Sequence, residues 1–73
     1  MSIADLQEGE KGIVLDVSND GIPLKLIEMG CLPGIEVQLI QRAPFKDPLC
    51  ININGSVLAI RENIARLIEI ERL

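Results

Sequence analysis

The chain has 73 residues, with seven Lys or Arg against eleven Asp or Glu, a formal charge of −4 and no His. A length near the lower limit for an unstapled core implies one compact domain over residues 1–73, with little room for a buried cleft. The acidic balance, with cations scattered from Lys11 to Arg72, argues against nucleic acid or an anionic membrane as partner. Phe45 as the only aromatic leaves no stacking platform for RNA.

From the N-terminus, Ile3 to Leu6 reads as a helical turn broken by Glu8-Gly9-Glu10. Gly12 to Val17 follows as a strand, because Ile13, Leu15 and Val17 alternate with Gly12, Val14 and Asp16. After the turn Ser18-Asn19-Asp20-Gly21, Pro23 to Met29 is predicted as a short helix. Proline is tolerated at its start, and Gly30 suits the left-handed position past its end. The inward side of that helix is Ile22, Leu26 and Met29, which leaves Leu24, Lys25 and Glu28 to face outward. Leu32-Pro33-Gly34 reads as a type II turn, since glycine supplies the positive φ, and it leads into a strand over Ile35 to Gln41. Arg42 to Pro48 is a loop, its two prolines removing ladder donors.

Asn54-Gly55 between two strand-like runs predicts a type I′ hairpin over Leu49 to Ile60. Pairing Ile53 with Ser56 sets Ile51 opposite Leu58 and Leu49 opposite Ile60 on the core face, with Cys50, Asn52, Val57 and Ala59 on the other. Arg61 to Ala65 makes one helical turn, and Leu67 to Glu71 closes the sheet with Ile68 and Ile70 inward and Glu69 and Glu71 outward. The fold class expected is therefore mainly β, a small closed barrel of five to six strands that leaves no unpaired edge, with its function on the surface or in the loops.

Catalysis has no support. There is no His, no Ser or Cys beside a base at a recognised spacing, and no Gly-rich phosphate loop. The carboxylates Glu8 and Glu10, Asp16 and Asp20, and Glu69 and Glu71 read as a solvated rim. Cys31 and Cys50 lack a CxxC spacing and supply only half a tetrahedral site, so neither a disulfide, a metal site nor a cofactor is expected. Cys31 reads as a small turn residue and Cys50 as a small residue on the outer sheet face. A metal shared between two molecules is the one ligand role left open. No apolar run approaches a bilayer span, and Met1 to Asp5 lacks the features of a secretion signal, which points to a cytoplasmic protein without membrane insertion.

Several segments together carry a family resemblance. They are Leu6 with Gly9 and Gly12-Ile13-Val14; Leu26-Ile27-Glu28-Met29-Gly30-Cys31-Leu32-Pro33-Gly34; Ala43-Pro44-Phe45-Lys46-Asp47-Pro48-Leu49; and Leu58-Ala59-Ile60-Arg61 with Ala65 and Ile68. This pattern resembles the FeoA family nearly end to end. The resemblance implies an SH3-like barrel with a helical insertion after the first strand. It also implies a non-enzymatic accessory role at FeoB, the membrane ferrous-iron transporter with an N-terminal GTPase domain. The same kind of domain occurs in iron-dependent repressors, so a regulatory barrel that binds peptide or metal is the alternative. Lys25 stands where the family commonly carries Arg, and Cys31 is not a residue the family requires.

The residues expected to meet a partner are Leu24, Lys25 and Glu28 on the helix, with Lys25 steering toward an acidic surface, and Arg42, Phe45 and Lys46 at the proline loop. Phe45 is either a plug for the barrel or an exposed anchor. Arg42 is the nearest approach to an arginine finger, although no Gly-rich loop presents it. Weak self-association is kept as a second mode of contact.

Overall fold

The computed structural model describes residues 1–73. Its elements, in chain order, are a 3-10 turn (Ile3–Asp5), β1 (Lys11–Asp16), α1 (Leu24–Glu28), β2 (Glu36–Arg42), β3 (Leu49–Ile53), β4 (Ser56–Ile60), α2 (Glu62–Ala65) and β5 (Glu69–Arg72). All five strands join one antiparallel sheet in the order β4-β3-β2-β1-β5, which curls around an aliphatic core that includes Val14, Val37, Leu39, Leu49, Ile51, Ile53, Ile68 and Ile70. No helix is long and apolar enough to cross a membrane.

The hairpin follows the register read from the sequence: Ile53 pairs with Ser56, Ile51 with Leu58 and Leu49 with Ile60. Asn54 (φ 51°) and Gly55 (φ 84°) take the two left-handed positions that a type I′ turn needs. Leu49, Ile51 and Ile53 are buried, while Val57 and Ala59 face solvent.

Closure of the barrel differs from expectation. β4 and β5 are the two ends of the sheet and do not pair, so edges remain. The outer edge of β5 is covered by the N-terminus, where the Ile3 N–H donates to the Ile68 carbonyl at 3.2 Å and the Ile70 N–H to the Met1 carbonyl at 2.8 Å. The outer edge of β4 has no such cover.

The first strand also turns the other way from its more apolar alternate set. Gly12 and Val14 face the core, whereas Leu15 is exposed and Ile13 only half-buried. Packing density explains it: a Cβ on Gly12 would stand 2.7 Å from Ile70 Cδ1 and 3.0 Å from the Glu71 carbonyl, so β5 crosses β1 where there is no side chain. Alternation then carries Leu15 outward, and a register shift between Val14 and Asp16 in the β1–β5 pairing lets Asp16 leave the core face as well.

The helix end is built by a Schellman arrangement, in which Gly30 (φ 102°) donates to the Ile27 carbonyl and Cys31 to the Leu26 carbonyl, each at 3.0 Å. Cys31 is fully buried in the core and not merely a turn residue, and burial pushes its thiol up from its ordinary pKa. Proline 23 lies just outside α1 as its N-cap, one residue earlier than the first helical position expected of it. Gly34 (φ 92°) and the Ile35-to-Leu32 hydrogen bond of 3.1 Å complete the predicted turn into β2.

Candidate docking surface

Four of the five α1 residues were assigned a direction from the sequence, and the fold places them accordingly. Leu26 is buried, and Leu24, Lys25 and Glu28 are exposed, Leu24 to 69%. This outward face is rigidly held, because Leu26 and Ile22 enter the core and the Schellman bonds fix the exit of the chain. Gly30 also meets the hairpin turn, its missing Cβ position lying 3.0 Å from Asn54 Nδ2.

The proline loop is anchored at its base and presents its tip. Ala43 N–H donates to the Pro48 carbonyl at 3.0 Å and Lys46 N–H to the Ala43 carbonyl at 2.7 Å, closing a turn over Pro44 and Phe45. The Asp47–Pro48 bond is cis. Asp47 Oδ1 accepts from the Glu62 N–H at 2.9 Å, which caps α2 and joins the loop to it. Between these ties Phe45 is 95% exposed, so of the two readings of this ring the core plug is excluded.

Arg42 has a structural task instead of a free guanidinium. It ends β2, its Nη2 donates to the Ala4 and Leu6 carbonyls at 2.6 and 3.0 Å, and its backbone N–H donates to Glu8 Oε2 at 2.9 Å. It therefore clasps the N-terminal turn to the sheet. Among the seven cations, Lys11, Arg61, Arg66 and Arg72 make ion pairs and Arg42 bonds to backbone, which leaves Lys25 and Lys46 without a partner in the fold.

Between α1, β4 and α2 runs an apolar groove of about 430 Å³, whose walls include Leu26, Met29, Leu58, Ala59, Ile60 and Ile64. Lys25 stands on one rim and Arg61 on the other, and Arg61 Nη1 reaches Asp47 Oδ2 at 4.0 Å, linking the groove to the base of the proline loop. Leu24, Lys25 and Glu28 are thus gathered on one face, and Phe45 and Lys46 on a loop tied to the far end of the groove. Ala59 and Arg61 line this groove but are not among the residues that the sequence marks as a site. Their only signal in the sequence is their place on the outer alternate of the hairpin and just after it. Nowhere do three His, Cys, Asp or Glu side chains converge as metal ligands.

Residues 1–72 match the family model of the FeoA domain. A fusion of Fe(2+) transport protein A with the Fe(2+) transporter FeoB from Porphyromonas gingivalis is 29% identical over 72 residues; these are 97% of this chain and only 8% of that protein. Among solved structures, FeoA from Chlorobium tepidum superposes with a TM-score of 0.90 at 28% identity, covering all of this chain and 70% of that one. Stenotrophomonas maltophilia FeoA, described as a prokaryotic SH3 domain protein and solved with zinc, gives 0.83 at 25% identity over 97% and 89%. A manganese-dependent transcriptional repressor, of which this chain covers 36%, shares the fold alone at 14% identity and a TM-score of 0.82. The sheet is therefore an SH3-like barrel with a helical insertion after β1, and the chain belongs to the FeoA domain family.

Proposed function

We propose that this chain is a non-enzymatic accessory of ferrous iron transport that docks on the cytosolic part of a FeoB-like transporter and modulates it. The observation that carries the reading is the relative in which a domain like this one is fused to FeoB, since fusion keeps two partners at high effective concentration. The contact surface is the α1 face of Leu24, Lys25 and Glu28, extended by Phe45 and Lys46. Exposed Leu24 and Phe45 supply apolar anchors, and the two cations that no internal carboxylate neutralises supply steering. Arg42 contributes by holding the N-terminal turn in place. Any effect on a GTPase is then positional, through contact and not through chemistry supplied by this chain.

The test is equilibrium binding of the wild-type chain and of Lys25→Glu/Lys46→Glu to the cytosolic portion of the FeoB-like transporter from the same organism. The charge reversal is expected to weaken binding by about tenfold with folding unchanged. Unaltered affinity removes this face from the site. No binding by the wild type contradicts docking on that portion.

A further inference from the structure

The edge of β4 is the one long backbone edge the fold leaves open, and the apolar groove follows it. The Ile53–Ser56 pair flanks a two-residue turn, so the hydrogen-bonded pairs of this ladder are Ile53–Ser56, Ile51–Leu58 and Leu49–Ile60. Val57 and Ala59 accordingly turn their N–H and C=O groups away from β3, and no turn, loop or cap bond uses them. The groove is lined by three consecutive β4 residues, Leu58, Ala59 and Ile60. Neighbouring strand residues point to opposite faces, so a groove touching all three runs along the strand's edge and not over one face. Val57, 61% exposed, continues the edge without the lysines, prolines or bulges that usually protect one.

The charge on the rim identifies the occupant. In a chain of net charge −4, the only charged residues lining this groove are Lys25 and Arg61, both cations. Lys25 has no ion partner, and Arg61, with its side chain 74% exposed, makes only the 4.0 Å pair with Asp47. A second copy of this chain pairing β4 to β4 would bring two such cation pairs around one axis, which like charge disfavours.

We infer that this edge takes an extended segment of a partner protein, about five residues long, adding antiparallel to β4 as a sixth strand, with alternate aliphatic side chains in the groove and a carboxylate at its N-terminal end. The antiparallel sense sets that end beside Ile60 and Arg61. This deepens the docking reading above and rests on it, by naming the chemistry of the segment that is held.

The test is titration of the ¹⁵N-labelled 73-residue chain with three synthetic peptides. They are acetyl-Asp-Asp-Val-Thr-Val-Thr-Val-amide, its Lys-Lys counterpart, and the acidic peptide N-methylated at the amides that would face β4. The acidic peptide is expected to shift and protect the Val57 and Ala59 amides. The lysine peptide should bind about tenfold more weakly and the N-methylated one not at all, and Lys25→Glu/Arg61→Glu should invert the preference between the first two. Equal shifts with all three peptides, or unmoved Val57 and Ala59 amides, overturn strand addition. Concentration-dependent shifts there without any peptide assign the edge to a second copy and also overturn it. If the cytosolic portion of the transporter binds while these amides stay unmoved, the inference fails and the docking reading stands.

Discussion

Ile51→Ala removes a buried branched side chain from the middle of the sheet. Ile51 is fully buried on β3, opposite Leu39 of β2 on one side and Leu58 of β4 on the other. Residues this enclosed cannot relax into the space left, so the loss combines transfer and cavity terms and amounts to about 2–5 kcal/mol. Native domains hold roughly 0.05–0.15 kcal/mol per residue, which for this length is about 4–11 kcal/mol in all, so one substitution takes a large share of the total. With no Trp or Tyr to report by fluorescence, the assay is far-UV circular dichroism during urea and thermal unfolding. The melting temperature should fall by about 8 °C or more, at about 4–8 °C per kcal/mol. Val57→Ala, on the outer face of the same hairpin, serves as the control and should change stability by no more than about 0.5 kcal/mol. Equal losses from the two variants, or a larger loss at Val57, would refute the register and the core face built on it.

Arg42→Ala should lower stability by about 1–3 kcal/mol and speed amide exchange at Ile3 to Leu6, because two carbonyls of the N-terminal turn lose their donor. Undiminished protection there would show that the clasp is not formed in solution. Asp5 is held below its ordinary value of 3.8 by the Ser2 backbone N–H, and Asp16 below 3.8 by the Ser18 hydroxyl and N–H. Their folded pKa values are depressed, so the unfolded chain binds more protons. The stability they contribute is present above pH 3.8 and lost as pH falls through the lowered values. Asp5→Asn/Asp16→Asn should therefore flatten the acid limb of the stability profile below pH 3.8, and an unchanged limb would assign it to other groups. Iodoacetamide at pH 8 should alkylate half-exposed Cys50 in the native protein and reach the buried, raised-pKa thiol of Cys31 only on unfolding, as peptide mass mapping would show.

Local chemistry made the hairpin, the Gly30 stop and the Pro33-Gly34 turn legible in the sequence, since each depends on a residue that tolerates positive φ at a set offset. The outward face of α1 followed from the same reasoning once Leu26 was set inward. Strand β1 was harder, because Ile13-Leu15-Val17 and Gly12-Val14 are both compatible with burial. What decides between them is the approach of Ile70, some 58 residues later in the chain, to the bare backbone of Gly12. Nor does the sequence say that β4 and β5 fail to pair, as that depends on the curl of the whole sheet. At the candidate site, what separates the two readings of Phe45 is a tertiary tie, Asp47 to the start of α2, with the ring left outside. The structural task of Arg42 is hidden in the sequence for a similar reason: the carbonyls it binds belong to residues 36 and 38 positions away.

The most direct test of the central claim is an NMR titration of the ¹⁵N-labelled chain with the soluble GTPase domain of its own organism's FeoB-like transporter, in GDP and GTP-analogue states. The account predicts shifts clustered on Leu24 to Glu28 and on Phe45 and Lys46, with Arg42 and the N-terminal turn unmoved. Shifts confined to the opposite side of the barrel would contradict this surface, and a spectrum unchanged in both nucleotide states would contradict docking on that domain.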